Sequence, residues 1–215
     1  MKIAFIGFGS LGEQIKAMID SSHNGNQEID YIYFDDNLHG QKLKNNTYRF
    51  ADYIDDRFRQ YQFVIALGYK HLLAKTPIIE KLKLNNRKLF SFIHPTSYVS
   101  STAVIADGVI IYPFCLIDQS VKIDSGTILH NRVTISHDCT IGSCNYFSPN
   151  ATVCGNASIG SHCFIGAGVV ISNGIVIENE VVIAIGSVVT QNLPTGTNAI
   201  GNPLRLLVNK KIKLQ

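Results

Sequence analysis

The sequence of 215 residues contains no tryptophan, and no apolar run in it approaches the roughly 18 residues that a membrane-spanning helix requires. We therefore expect no membrane association. The opening MKIAFIGFGSLG is too briefly apolar and too rich in glycine to be a signal peptide. The net charge of +3 is too small to indicate a nucleic-acid partner. These absences predict a cytoplasmic protein, and the 46% of hydrophobic residues suffices for a sizeable core.

Cysteine is also scarce. The five cysteines are an odd number without C-x-x-C spacing, which indicates a reduced compartment and gives no sign of a metal site. Three of them, Cys115, Cys139 and Cys163, recur at one place of the repeat described next. That regular placement favours a role as small core residues over a chemical one.

A six-residue repeat dominates the second half of the chain. Residues 99–194 divide into sixteen hexads without an insertion, and the first place of every hexad is Val, Ile, Leu or Phe. The fifth place is mostly small or β-branched. This period predicts short strands separated by tight corners, with three strands closing one triangular coil of eighteen residues. A hexad alone cannot bury its apolar side, whereas stacked coils bury a continuous column.

The first half has a different pattern. The segments KIAFIG, EIDYIYFDD, QFVIALG and LFSFIHP are typical of strands, and EQIKAMIDSS and TPIIEKLKLN are typical of helices. Their alternation predicts a small parallel α/β layer. The glycine turn GFGSLG after the first strand suits phosphate binding at a helix N-terminus. A dinucleotide site, a single nucleotide diphosphate and a purely structural turn all remain open, although fewer than a hundred residues favour the single nucleotide.

The hexads resemble those of the hexapeptide acyltransferases, which fold as left-handed parallel β-helices. Nearly the whole chain is similar to the enzymes of that family that acetylate nucleotide-linked 4-amino sugars. The resemblance rests on the short α/β part, the IHP junction, the pair His137 and Asp138 within the hexads, and the closing GNPLR. It implies a Rossmann-like nucleotide-sugar-binding domain (1–94), a left-handed β-helix acyltransferase domain (95–195) and a basic C-terminal tail (196–215).

The resemblance also implies roles for individual residues. His137 is expected to be the general base, Asp138 to raise its basicity, and the Gly155 amide to stabilise the oxyanion. The nucleotide sugar is expected near Gly9, Ser10, Leu11, Asp35, Asp36 and Gly68. Acetyl-CoA, the co-substrate, is expected near Tyr146, Ala167, Ile185 and Arg205, with Lys210 and Lys211 close to its phosphates. Two positions depart from the family pattern, since Leu11 and Tyr146 stand where some relatives have histidine.

The register of the hexads supports the first of these roles. His137 and Asp138 occupy the third and fourth places, at a corner, where side chains leave the core and escape the cost of a buried charge. Histidine titrates near neutral pH, and an adjacent carboxylate stabilises its protonated form. On a single β-helix this corner would face only solvent and would have no function. Because this family forms trimers, we expect a homotrimer in which the corner lines a cleft.

Other functions use similar sequences. An O-acetyltransferase acting on a sugar (the sialic-acid type) or a serine hydroxyl would need the same base. A non-catalytic hexapeptide scaffold and a nucleotide-binding oxidoreductase are further alternatives. A zinc carbonic anhydrase needs closely paired histidines, and the separations of 7 and 25 between His130, His137 and His162 do not supply them. We expect His130 and His162 to be solvated, and His94 to shape the domain junction.

Overall fold

The computed structural model describes residues 1–23, 28–37, 46–207 and 212. The chain forms two compact units, Met1–Phe92 and Ile93–Gln215. Lys210 and Lys211 lie outside the described residues. No helix in the described ranges is long and apolar enough to cross a membrane.

The first unit is built on a parallel sheet in the order β3-β2-β1-β4-β5. Its helices are α1 (Ser10–Ser22) and α2 (Leu72–Leu84), with short 3-10 helices at Phe50–Ile54, Asp56–Phe58 and Tyr69–His71. Its strands are β1 (Lys2–Ile6), β2 (Asp30–Phe34), β3 (Thr47–Tyr48), β4 (Gln62–Ile65) and β5 (Lys88–Leu89). The predicted parallel α/β layer is confirmed. The strand order reverses at β1, and ligands of open α/β sheets bind at such a point, outside the carboxyl ends of the strands.

Two boundaries in this part differ from the sequence prediction. The segment LFSFIHP forms two short strands, β5 and β6 (Phe92–Ile93), which belong to different sheets. The second helix begins at Leu72, before the predicted start, and contains Pro77 in its interior. Leu72 packs in the core together with Ile78, so tertiary packing extends the helix beyond the proline.

The second unit is a three-sided β-helix. Its sheet 1 contains β6, β9, β12, β15, β18, β21, β23 and β24, its sheet 2 every third strand from β7 to β22, and its sheet 3 every third strand from β8 to β20. The sixteen coil strands have two residues each: β7 (Tyr98–Val99), β8 (Val104–Ile105), β9 (Ile110–Ile111), β10 (Leu116–Ile117), β11 (Lys122–Ile123), β12 (Ile128–Leu129), β13 (Thr134–Ile135), β14 (Thr140–Ile141), β15 (Tyr146–Phe147), β16 (Thr152–Val153), β17 (Ser158–Ile159), β18 (Phe164–Ile165), β19 (Val170–Ile171), β20 (Val176–Ile177), β21 (Val182–Ile183) and β22 (Val188–Val189). The chain then forms β23 (Asn198–Ile200) and an antiparallel β24 (Arg205–Leu206).

The hexad register is confirmed in detail. The second residue of each coil strand is the apolar first place of a hexad, and it pairs with the residue eighteen positions along, as Ile117 does with Ile135. The first places fill a continuous interior column together with the buried Cys115, Cys139 and Cys163, which confirms their packing role. The stacked parallel sheets fit the left-handed β-helix that the resemblance implies.

The fourth place of the hexads makes the corners. Nine non-glycine residues there adopt left-handed backbone angles, with φ between 57° and 61°: Phe114, Ser120, Arg132, Asp138, Cys144, Asn150, Asn156, His162 and Glu180. Five further corners use glycine with positive φ, at Gly108, Gly126, Gly168, Gly174 and Gly186. Four residues separate successive coil strands, and the left-handed residue turns the chain within this segment.

Candidate active site

His137 lies at the corner between β13 in sheet 2 and β14 in sheet 3. Its Nδ1 lies 2.9 Å from Oδ2 of Asp138, and both side chains are about half exposed, at 46% and 49%. The Asp138 N–H donates to the Gln119 carbonyl, and the His137 carbonyl accepts from the Asn156 N–H, both at 3.0 Å. The coils on either side therefore hold the corner. Because a carboxylate accepts from Nδ1–H, Nε2 carries the lone pair that can take a proton.

Gly155 lies one coil further, directly under the imidazole. A Cβ atom placed on Gly155 would lie 2.6 Å from both Cε1 and Nε2 of His137. The Gly155 carbonyl accepts from the Gly174 N–H at 3.0 Å, whereas the Gly155 N–H has no acceptor among the described residues. The structure thus brings together the three residues predicted to carry the chemistry, and leaves one backbone donor free beside the ring.

His130 is not solvated, and that prediction is wrong. Its side chain is buried on sheet 1, where Nε2 lies 2.6 Å from the Tyr146 hydroxyl. The Tyr112 ring, eighteen residues earlier, stacks on it at 4.1 Å. Burial lowers the pKa of His130 to about 4, so the ring is neutral near pH 7. The sequence signal that would have found this cluster is the eighteen-residue spacing between Tyr112 and His130, which places one ring on the other.

The structure also tests the predicted exposure of His162 and shows the contacts of His94. His162 is partly buried at the corner between sheets 3 and 1, with its N–H on the Ser143 carbonyl at 3.0 Å, so it is less solvated than expected. His94 is the second residue of the second unit, and its Nδ1 lies 2.9 Å from the Thr96 hydroxyl. Neither histidine contributes a ring to the His137 corner.

The residues expected to contact acetyl-CoA lie elsewhere on the β-helix. Ala167 and Ile185 occupy third places at the corners between sheets 1 and 2, and Ile185 is 74% exposed. Tyr146 lies in sheet 1 and is only 8% exposed, because its ring and hydroxyl are engaged with His130. Arg205 is exposed on β24 beside a shallow groove lined by the Ile200–Pro203 segment. Within a single chain, these residues therefore do not lie on the edge of the β-helix that carries His137.

The glycine turn of the first unit lies where β1 and β4 end. Gly9 caps α1 without a side-chain hydrogen bond, Ser10 is exposed, and Leu11 is half-buried. Gly68 caps the 3-10 helix after β4, and a Cβ atom there would lie 4.0 Å from Leu11 Cδ2. Four of the predicted nucleotide-sugar residues, Gly9, Ser10, Leu11 and Gly68, thus belong to two adjoining turns.

The two acidic residues are already engaged by the backbone. Asp35 accepts the Phe8 N–H with Oδ2 and the Asn37 N–H with Oδ1, both at 2.9 Å. Asp36 accepts the Phe50 N–H at 2.9 Å with Oδ1 alone. Asp35 therefore fixes the glycine turn to the end of β2, which the sequence did not indicate, and Asp36 keeps a second oxygen for another donor.

Metal ligands are not grouped in the described ranges, where no set of three or more His, Cys, Asp or Glu side chains could hold an ion. All five cysteines are free thiols, and only Cys154 is not fully buried.

Several solved structures share this fold, a parallel α/β unit followed by a three-sided β-helix, over nearly the full chain. The acetyltransferase domain of PglB from Neisseria gonorrhoeae FA1090 is 24% identical, with 96% of this chain and 99% of that chain covered and a TM-score of 0.84. The same domain in complex with acetyl coenzyme A gives a TM-score of 0.83. PerB from Caulobacter crescentus in complex with CoA and GDP-perosamine is 20% identical, with coverage of 97% and 98% and a TM-score of 0.85. WeeI from Acinetobacter baumannii AYE is 22% identical, with coverage of 96% and 100% and a TM-score of 0.84.

At these identities the likeness establishes the fold, and it confirms the predicted resemblance at that level. No protein-family model matches the chain. A curated relative, the acyl-[acyl-carrier-protein]–UDP-N-acetylglucosamine O-acyltransferase of Psychrobacter sp. (strain PRwf-1), is 42% identical over 53 residues, which is 25% of this chain. The match spans only a fifth of that relative's length.

Proposed function

We propose that this chain is an acetyl-CoA-dependent N-acetyltransferase that acts on the amino group of a nucleotide-linked 4-amino-deoxysugar. One observation carries the proposal: the His137 imidazole is anchored through Nδ1 to Asp138 and presents Nε2 at a half-exposed corner above a free backbone donor. Its support is the full-length likeness to PglB, solved with acetyl coenzyme A, and to PerB, solved with CoA and GDP-perosamine.

In this mechanism the sugar amine attacks the thioester carbon and forms the C–N bond of a tetrahedral intermediate, and the C–S bond breaks when that intermediate collapses. His137 Nε2 takes the proton from the amine, and the Asp138 carboxylate stabilises the resulting imidazolium. The Gly155 N–H donates to the oxyanion that develops on the thioester oxygen. The proton on Nε2 then passes to the thiolate that leaves, which restores the neutral imidazole.

The first unit is proposed to bind the nucleotide sugar as a Rossmann-like domain spanning residues 1–94. Because Gly9 caps α1 without a side-chain hydrogen bond, the N-terminus of this helix, with Ser10 and Leu11, offers backbone donors to a diphosphate. Gly68 borders this turn, and the unused oxygen of Asp36 remains for a hydroxyl of the nucleotide. Residues 95–195 form the acyltransferase domain in this proposal, and residues 196–215 the basic tail.

The proposal includes a homotrimer, and the positions of the residues assigned to acetyl-CoA support it. His137 and the pair Ala167 and Ile185 occupy different edges of one β-helix, so they can act on one thioester only if a second copy brings its own edge alongside. Arg205 supplies positive charge for the coenzyme phosphates. Tyr146 is assigned only to the wall of this groove, since its polar atom is engaged with His130. Light scattering in solution tests the trimer.

The test of the function is a panel assay. Acetyl-CoA is offered with UDP-, dTDP- and GDP-linked 4-amino sugars, and thiol release is followed. We expect release that depends on one of these sugars, with acetamide formation seen by mass spectrometry. None of the five cysteines forms a disulfide, which suits the proposed cytoplasmic location, a reducing compartment.

A hydroxyl acceptor is the second candidate, because the curated match is to an O-acyltransferase and His137 would serve either acceptor. The same panel therefore includes sugars with a 4-hydroxyl group, a sialic acid and serine. Thiol release with a hydroxyl compound and none with any amino sugar would replace the N-acetyl proposal. An NAD-dependent absorbance change that requires no coenzyme A would contradict both acetyltransferase proposals.

A further inference from the structure

Gly155 has a second property that the oxyanion role does not explain. Its backbone is not in the left-handed region, so no turn requires a glycine there. The third places one coil before His137 and one coil after Gly155 carry Gln119 and Asn173, so this edge accepts side chains elsewhere. What is special at Gly155 is the ring above it, whose Cε1 and Nε2 occupy the space of a Cβ atom.

We propose that Gly155 is a positioning residue for His137. Because Gly155 has no side chain, the imidazole packs against its Cα, and this contact, which we call the seat of the ring, fixes the position of Nε2. This inference rests on the proposed function for its catalytic consequence, while the seat itself is a property of the free protein. It is separate from the Gly155 N–H, because one role needs an empty space on Cα and the other needs a donor on nitrogen.

The surrounding contacts decide which group would move if a methyl group were added. The Gly155 carbonyl accepts from the Gly174 N–H, and the Asn156 N–H donates to the His137 carbonyl, so adjacent coils hold the backbone. The imidazole is the movable group. To reach ordinary contact at about 3.5 Å from 2.6 Å it must shift by roughly 1 Å. That shift strains or breaks the 2.9 Å hydrogen bond from Nδ1 to Asp138.

The kinetic test compares Gly155→Ala with Asn173→Ala, which removes an exposed side chain from the next coil of the same edge. A misplacement of about 1 Å at a reacting group can cost about 10²-fold in rate. We expect Gly155→Ala to lower kcat by about that factor while KM for both substrates changes by less than about threefold. Asn173→Ala should match the parent. A kcat within about threefold of the parent in Gly155→Ala overturns the proposal.

A second comparison separates the seat from the backbone donor. Replacing the Cys154–Gly155 peptide bond by an ester removes the N–H and keeps two hydrogens on Cα. In the free protein we expect the nuclear Overhauser effect between His137 Hε1 and the Gly155 Hα atoms to persist in the ester. Gly155→Ala should displace the ring resonances of His137 and shift the Asp138 signals. Unchanged His137 ring resonances in Gly155→Ala would contradict the seat.

A double-mutant cycle of thermal stability distinguishes a clash with the His137 ring from a general folding defect of the variant. If the ring is what the methyl group meets, Gly155→Ala should lower the thermal midpoint in the parent and leave it nearly unchanged when His137 is already alanine. Equal losses in both backgrounds would overturn the proposal. The resonances and the cycle need no substrate, so a chain that failed the acetyl-transfer panel but passed these tests would disprove the function and leave the seat standing.

Discussion

The corner that carries His137 and the face of sheet 1 that carries His130 differ in one physical respect, although seven residues separate the two histidines in the sequence. At His137 the residue one coil further is Gly155, and the ring has open solvent on its other side. At His130 the residue one coil earlier is Tyr112, and Tyr146 meets it from the next strand of sheet 1. One imidazole is half exposed and tied to a carboxylate, and the other is neutral and enclosed.

This difference teaches that the place within a hexad is not enough to assign burial. From Ile111 onward every first place is buried, because the column inside the helix is continuous, and only Val99 and Ile105 at its first coil are partly buried. For side chains at outward places, the residues eighteen positions away determine burial, since they stack directly above and below. The Tyr112 ring, eighteen residues before His130, covers that histidine, whereas Gly155, eighteen residues after His137, leaves its ring half exposed.

The largest effect that we predict is a loss of activity when the His137 imidazole is removed. His137→Ala should lower kcat by about 10²- to 10⁴-fold, because it removes the group that takes the proton. The matched control is His162→Asn, at another corner, since asparagine tolerates the left-handed backbone there (φ 61°). Steady-state thiol release measures both. An unchanged rate in His137→Ala would remove the imidazole from the mechanism.

The next prediction concerns acid stability. The folded pKa of His130, about 4, is below its ordinary value of 6.5, so the unfolded chain binds this proton more readily. The stabilising effect is complete above about pH 6.5, is lost as the pH falls toward about 4, and then levels off. The shift corresponds to about 3 kcal/mol of unfolding free energy. Tyr112 and Tyr146 face His130, and burial raises the pKa of the Tyr112 hydroxyl further above this range.

Urea unfolding at fixed protein concentration, between about pH 7 and pH 4, measures this loss. The control is His130→Phe, which keeps a ring in the stack and has no proton to bind. The difference between the parent and the variant should change by about 3 kcal/mol across the window. Parallel curves for the two proteins would show that His130 does not titrate differently in the folded state.

The β-helix could be predicted from the sequence almost completely, and the α/β unit only in outline. The positions of the sixteen strands could be predicted because every coil requires an apolar residue at each sixth position. In the first unit LFSFIHP splits between two sheets, since Phe90 donates to the Phe63 carbonyl and His94 to the Ile111 carbonyl. No local pattern encodes that change of partner.

Among the site residues, the position of His137 and Asp138 at a corner followed from the register, whereas their environment did not. The burial of His130 and the engagement of Asp35 with the Phe8 N–H depend on groups brought together by folding. The seat of the ring depends on a distance between Gly155 and an imidazole that only coordinates give. Spacing predicts which residues are neighbours, and contact geometry decides what each neighbour does.

The smallest predicted effect tests the enclosed histidine by comparing two tyrosines that flank it. The Tyr146 hydroxyl hydrogen-bonds His130 Nε2, whereas the buried Tyr112 hydroxyl has no partner among the described residues. Tyr146→Phe should therefore cost about 1–2 kcal/mol of unfolding free energy, because it leaves a buried ring nitrogen unpaired. Tyr112→Phe removes an unpaired polar group and should be neutral or stabilising. Equal losses in the two variants would mean that the hydroxyl bond to His130 contributes nothing, and that ring stacking alone encloses this side of the helix.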